Sequence, residues 1–249
     1  MQIKNNKSIS IGSWITIPSN DVVEIMCNAG FDWLAIDLEH SAINMSQTQD
    51  MIRIIDLSGL TPYVRVTSNN IDQIKRVLDM GAKGIIVPNI NTLDDLEKAY
   101  QSIKYSPVGI RGVGLARAQG YGNKFKEYMK WQEENIKLVV QIENIKAINN
   151  LDKIFSSGKI DSFLIGPYDL SCSLGIPGEF NNKIYKQNVN KILLKAKKYK
   201  INKGIHVIEP NINDLKKVLR QDFSFIAYSL DIRMLDEKAR EIKNLINNH

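Results

Sequence analysis

The polar residues of this 249-residue chain gather where short apolar runs end. Asp37-Leu38-Glu39-His40 closes the run begun at Trp33, and Arg65 closes the run after Pro62. Gln141 and Glu143 close another, and Gly166-Pro167-Tyr168-Asp169 a further one. His206 and Glu209 mark the next, and Asp231 follows the last. Two carboxylates with room for water suit a hard divalent ion such as Mg2+. Glu143 and Asp169 follow neighbouring runs and form the best such pair. Read singly, each is also an ordinary surface acid, and Asp169 fits a helix N-cap. His40 fits a general base, or a packed or capping histidine. Arg65 fits a grip on a carboxylate or an enolate oxygen, or a structural ion pair with Asp37 or Glu39. No apolar run ends in lysine: Lys137 and Lys203 open theirs. A Schiff base needs a desolvated lysine in the site, so a metal is the expected electron sink.

Such residues need a frame that brings run ends together. Short apolar runs alternate with segments of helical period throughout, the signature of βα units on a parallel sheet. Strands are expected at Gly12–Thr16, Trp33–Asp37, Pro62–Val66, Gly84–Pro88, Lys137–Ile142, Asp161–Ile165, Lys203–Val207 and Phe223–Tyr228. Ser19, Ser46 and Asn70 read as helix starts, and the last helix is expected from Met234 to Asn247. Eight units in this length predict a single (β/α)8 TIM barrel across residues 1–249, with active groups at the C-terminal strand ends. No Gly-rich phosphate turn follows the first strand, as an open dinucleotide sheet would require. The connection from Asn91 to Ile136 is long, with one ordinary helix and the stretch PVGIRGVGLARAQGYGN; long loops are usually functional. Arg111, Arg117 and Tyr121 in it are expected to shape the mouth.

Composition excludes several classes. The formal charge is +6 with 33 basic and 27 acidic residues, but the lysines are scattered, whereas nucleic acid needs a clustered footprint. The positive field suits an anionic carboxylate. Cys27 and Cys172 lie in no CxxC pattern, and Cys27 reads as a small core residue. Met1 to Ser10 carries no hydrophobic leader, and no apolar run approaches a membrane span. A cytoplasmic protein is expected, with no membrane and no nucleic-acid partner.

The stretches DWLAIDLEH, PYVRV, IKRVLDMGAKGIIVPNI, GIRGVG, VQIE and IGPYDLSCSLG, in this order from Gly12 to Gly178, resemble the HpcH/HpaI family of class II pyruvate aldolases. The chain looks similar to its 4-hydroxy-2-oxoheptanedioate and 2-dehydro-3-deoxyglucarate aldolases. The resemblance implies a carbon–carbon lyase that reversibly cleaves a 4-hydroxy-2-oxo acid to pyruvate and an aldehyde through a metal-stabilised pyruvate enolate. It implies that Glu143 and Asp169 hold the divalent metal (Mg2+, Mn2+ or Co2+), that His40 is the base, and that Arg65 stabilises the enolate. Gln141, Gly166 and the Tyr168 backbone would contact substrate. Asp79 matches the acid that raises the basicity of the histidine. Its place before the fourth strand puts it at the barrel's bottom, so it would reach a neighbouring subunit; otherwise it is a solvated helix-end acid. A homo-oligomer follows, a hexamer built as a dimer of trimers with active sites at interfaces and a C-terminal helix swapped between subunits. Leu38, Tyr168 and the shortened 111–122 loop depart from the family pattern, all expected near the mouth. A CoA-ester lyase, which would need extra basic residues at the mouth, and a non-catalytic barrel are the alternatives.

Overall fold

The computed structural model describes residues 9–247. Strands β1 (Ser10–Ile15), β2 (Trp33–Asp37), β3 (Thr61–Arg65), β4 (Gly84–Val87), β5 (Lys137–Ile142), β6 (Ser162–Ile165), β7 (Asn202–Val207) and β8 (Phe225–Leu230) run in chain order. All neighbours pair in parallel, and β1 closes on β8 to complete the barrel. Among the described residues ten helices surround it: α1 (Asn20–Cys27), α2 (Met45–Leu57), α3 (Ile71–Met80), α4 (Leu93–Ile103), α5 (Phe125–Asn135), α6 (Ile145–Ser156), α7 (Pro167–Ser173), α8 (Lys183–Tyr199), α9 (Ile212–Leu219) and α10 (Asp231–Asn247).

Strand parity sorts the side chains. Alternate residues of a strand face opposite sides of a sheet. Ile15, Leu34, Ile36, Val64, Ile85, Leu138, Val140 and Phe163 face outward into one buried layer shared with the helices. Each such side chain contributes about 1.5–3 kcal/mol on burial. Trp33, Ala35, Tyr63, Ile86, Val139, Leu164 and Phe225 face inward and fill the barrel. Trp33 stacks on Phe225 at 4.5 Å between centroids. A Cβ at Gly12 would lie 2.0 Å from the Trp33 ring, and one at Gly84 2.0 Å from Tyr63. Those two glycines make room for the aromatic plug. Continuing the same parity upward delivers Trp14, Asp37, Arg65, Gln141, Glu143, Gly166 and His206 to the inside of the mouth.

Several expected boundaries shift. The eighth strand begins two residues later than expected and runs to Leu230. Phe223 is buried before the strand starts, and Ser229, at φ +50°, carries the chain on through an irregular pairing with β1. Asn44, not Ser46, caps α2, in a reciprocal box with Gln47. The last helix starts at Asp231, directly from β8. The long connection holds a second helix, α5, besides α4.

The largest correction concerns the 111–122 loop. It lies between α4 and α5, within the return from α4 to β5, and a helix-to-strand return runs at the bottom of the barrel. Its contacts agree. Arg111 pairs with Asp79 at 2.7 Å and Arg117 with Asp56 at 2.5 Å. The Ala118 N–H donates to the Asp79 carbonyl at 3.0 Å. Arg111, Arg117 and Tyr121 therefore do not shape the mouth of their own barrel.

Candidate active site

Asp37 organises the mouth. It is 2% exposed. Arg65 meets it with two donors, Nε to Oδ1 at 2.8 Å and Nη2 to Oδ2 at 2.6 Å. The Asp37 Oδ1 atom also accepts the backbone N–H groups of Glu39 at 3.0 Å and His40 at 3.3 Å. One carboxylate thus fixes both the guanidinium plane and the turn that carries Glu39 and His40. The other side of Arg65 lies over the Trp14 ring at 4.6 Å. With Nε and Nη2 engaged, Nη1 keeps only long contacts, 3.5 Å to Gln141 Oε1 and 3.4 Å to Glu39 Oε2. The ion-pair reading of Arg65 and the functional one coexist: two donors hold the residue and the third faces the cavity.

Glu143 is the second anchor, 5% exposed. Its Oε2 accepts from Gln141 Nε2 at 2.9 Å, and its Oε1 accepts the Asn89 N–H at 2.7 Å. Asn89 aims that N–H from a left-handed turn after β4, at φ +55°, a conformation asparagine tolerates better than most residues. Gly166 stands against the same carboxylate: a Cβ there would lie 2.6 Å from Glu143 Oε2. Asp169 sits in the first turn of α7, whose N-cap is Gly166, so Asp169 is not the cap residue.

The site has more negative charge than it neutralises. Burial pushes the Glu143 carboxyl up to about 7, with Asp169 and Glu39 adding to the rise against the Asn89 hydrogen bond. Burial likewise pushes Glu39 to about 6, with Asp37 and Asp169 adding and Arg65 opposing. Carboxylates driven this far up are groups that a proton or a cation would neutralise. Glu39, named in the sequence only as a possible partner of Arg65, thus belongs to the acidic cluster. Its signal was parity: it shares the inward phase of Trp33, Ala35 and Asp37. Leu38, one residue off that phase, is 6% exposed and packs outward in the helix layer, so its departure from the family pattern does not touch the cavity.

The mouth opens into a cavity of 620 Å³ lined by His40, Arg65, Gln141, Gly166, Tyr168, Asp169 and His206, among others. The His40 side chain is 65% exposed, with Nε2 3.8 Å from Glu39 Oε2. Tyr168 is 53% exposed and meets Phe180 edge to face at 5.0 Å. Asp231 does not reach into the cavity; it accepts from Thr16 N (2.8 Å), Thr16 Oγ1 (2.5 Å), Ile17 N (2.9 Å) and Ile232 N (2.7 Å). Glu209 pairs with Arg233 on α10. Asp79 is held away from its own mouth by Arg111 and by Gln119 Nε2 at 3.1 Å.

The donors fit a small divalent ion. Glu143 and Asp169 could supply oxygen ligands, each charge raises the cost of the other's, and Gly166 keeps the space beside Glu143 Oε2 open. Among the described residues no group of three or more His, Cys, Asp or Glu side chains is placed to hold a metal ion by itself. Mg2+ is commonly held by one or two carboxylates, with waters and substrate oxygens completing its shell.

The family model of the HpcH/HpaI aldolase/citrate lyases matches residues 10–237. The chain belongs to this family. A hydroxypyruvate/pyruvate aldolase of Sagittula stellata is 33% identical to it over 230 residues, 92% of this chain and 90% of that one. A 5-keto-4-deoxy-D-glucarate aldolase of Salmonella paratyphi A is 30% identical over 226 residues, 91% of this chain and 88% of that one. The crystal structure of an HpcH/HpaI family protein from Burkholderia cenocepacia J2315 superposes with a TM-score of 0.89 at 26% identity, covering 96% of this chain and 95% of that one. This HpcH/HpaI member is an enzyme, a class II aldolase and so a carbon–carbon lyase. No helix among its described residues is long and apolar enough to cross a membrane.

Proposed function

We propose that the chain enolises pyruvate at this mouth and joins it reversibly to an aldehyde, giving a 4-hydroxy-2-oxo acid. The observation that carries the reading is the surplus of carboxylate beside an arginine whose Nη1 makes only long contacts. A divalent ion (Mg2+, Mn2+ or Co2+) held by Glu143 and Asp169 would act as a Lewis acid on pyruvate, making its methyl protons acidic. His40 removes a methyl proton. Arg65 Nη1 donates to the developing enolate oxygen while Asp37 keeps the guanidinium in plane. Gln141, bonded to both Arg65 and Glu143, holds the two in register. Gly166 and Tyr168 border the substrate from the start of α7. The enolate carbon then bonds to the aldehyde carbon, and the aldehyde oxygen takes up the proton that His40 carries. In the reverse direction that proton leaves the hydroxyl and the carbon–carbon bond breaks. A CoA ester fits less well: Arg65 is the only Lys or Arg among the residues lining the cavity, and CoA phosphates call for more.

The test is deuterium exchange into the pyruvate methyl group, followed by NMR with metal and then with EDTA. Metal-dependent exchange is expected. Absence of exchange with every divalent metal overturns the reading.

The assembly is part of the proposal. Asp79 faces the underside of its own barrel, so it serves as the acid partner of His40 only across a subunit boundary. Apolar side chains on α10 are bare, with Leu235 61%, Ile242 67% and Ile246 68% exposed. On the underside Val113 and Leu115 are 59% and 65% exposed. These surfaces support a homo-hexamer, a dimer of trimers with active sites at interfaces and α10 exchanged between subunits. Mixing His40→Ala with Asp79→Asn protein should restore exchange that neither shows alone, because some mixed interfaces carry both native residues. No restoration places Asp79 outside the site.

A further inference from the structure

The wall of the cavity formed by β7, β8 and β1 carries polar groups that the enolisation chemistry does not use. His206 lies there at inward parity, and its ring lines the cavity. Its Nε2 is 3.2 Å from the Ser229 carbonyl. A carbonyl only accepts, so that contact requires Nε2 to carry the proton, which leaves Nδ1 as an acceptor. The ring neighbours Trp14, 5.7 Å between centroids, and Arg65 lies over the same indole at 4.6 Å. The guanidinium and the imidazole therefore line one cavity around a shared indole. Trp14 Nε1 is buried and has no hydrogen-bond partner in the structure; buried polar groups without partners are uncommon. The wall has no positive charge to offer. Arg65, the only Lys or Arg lining the cavity, spends two of its donors on Asp37, and burial drives His206 down to about 4, so its ring is neutral.

We infer that His206 is a specificity-determining residue that accepts a hydrogen bond from a hydroxyl of the acceptor, so that the aldehyde partner is an uncharged hydroxyaldehyde rather than a carboxylate-bearing semialdehyde. The inference rests on the pyruvate-aldolase reading above and narrows it. A site that bonds a substrate hydroxyl discriminates against the analogue lacking it, because its own polar group is then left unpaired.

The test compares kcat/KM for three acceptors with pyruvate: glycolaldehyde, its near-isostere propanal, and succinic semialdehyde. The wild-type enzyme should prefer glycolaldehyde to propanal by on the order of tenfold or more, the worth of one hydrogen bond in a dry site. Succinic semialdehyde should be the poorest of the three. His206→Leu should bring the glycolaldehyde-to-propanal ratio close to one, and His206→Gln, which keeps an acceptor, should retain most of it. The ratio cancels any general loss of folded enzyme. A ratio unchanged in His206→Leu overturns the inference, as does a wild-type preference for succinic semialdehyde. Pyruvate methyl exchange in the wild type separates the two levels. Exchange without hydroxyl preference sinks only the role of His206, whereas absence of exchange sinks the aldolase reading and this inference with it.

Discussion

The two faces of the barrel each carry an arginine–aspartate pair over an aromatic ring, with one partner of each pair buried. At the mouth Arg65 meets Asp37 at 2.6 Å and lies 4.6 Å from Trp14. On the underside Arg111 meets Asp79 at 2.7 Å and lies 4.6 Å from Tyr105. The pairs look alike, but their surroundings differ. Below, charges are matched: burial pushes the Asp56 carboxyl up, yet hydrogen bonds from Lys83 and Arg117 hold it below the usual range. Above, Glu39 and Glu143 are pushed to about 6 and 7. Matched charge makes a joint; unmatched charge, which costs stability, marks where a cation and chemistry are expected.

The sharpest break of the comparison is His40→Ala. Removing a general base should lower pyruvate exchange by roughly 10²–10⁴-fold. The side chain is largely exposed, so urea denaturation should move by no more than about 0.5 kcal/mol. Retained exchange removes His40 from the mechanism. Next come Arg65→Met and Arg111→Met. Arg65→Met strands the buried Asp37 and should cost about 3–5 kcal/mol by urea denaturation at pH 7; Arg111→Met should cost less, because Asp79 is only part-buried and keeps Gln119 as a donor. The cost at Arg65 should shrink toward pH 5 as Glu39 and Glu143 take up protons, and the cost at Arg111 should not. Equal pH dependence would erase the distinction between the faces.

Stability itself should tilt with pH in the metal-free protein. Glu39 and Glu143 are raised in the fold above the ordinary 4.5. The stability they lend is full below 4.5 and is lost as pH rises through about 6 and 7. For Glu143 this amounts to about 3 kcal/mol. Asp56, held low, works in the other direction: its contribution is present at neutral pH and lost in acid. Urea melts from pH 5 to 8 in EDTA should show the decline, and excess Mg2+ should flatten it; a flat profile in EDTA would contradict the acidic cluster. The smallest effect expected is that of Gly166→Ala. Its Cβ would crowd Glu143 Oε2 at 2.6 Å. Divalent-ion affinity by calorimetry should weaken about tenfold, and unchanged affinity would mean Glu143 is not a ligand.

Much of this was legible in the sequence because strand parity is local. The alternation Trp33, Ala35, Asp37 and the run-end positions of Arg65, Gln141 and Glu143 locate the mouth before any coordinates are seen. Leu38 was misplaced because the same alternation was not carried past the strand end, where it turns Leu38 outward and Glu39 inward. The 111–122 loop was misassigned for a topological reason. Its glycines and arginines resemble an active-site loop, but rank in the chain, between α4 and β5, decides which face it occupies. His206 was read only as a residue on its strand. Its lone acceptor depends on what Ser229 does across the sheet, and the odd backbone at Ser229 leaves no mark in its residue type.

Asp231 ties Thr16 and Ile17 to the start of α10 across separations of 215 and 214 residues. That clip sits above the β1–β8 seam, which joins the first strand to the last. During synthesis the seam therefore closes last, after nearly every other strand pair has been available. Until Asp231 has left the ribosome, β1 and the latest strand present open backbone edges, the form most prone to pair with a neighbouring nascent chain. Ribosomes crowded on one message would meet that hazard in every copy at the same stage, so the time of greatest exposure to aggregation falls just before β8 and Asp231 emerge.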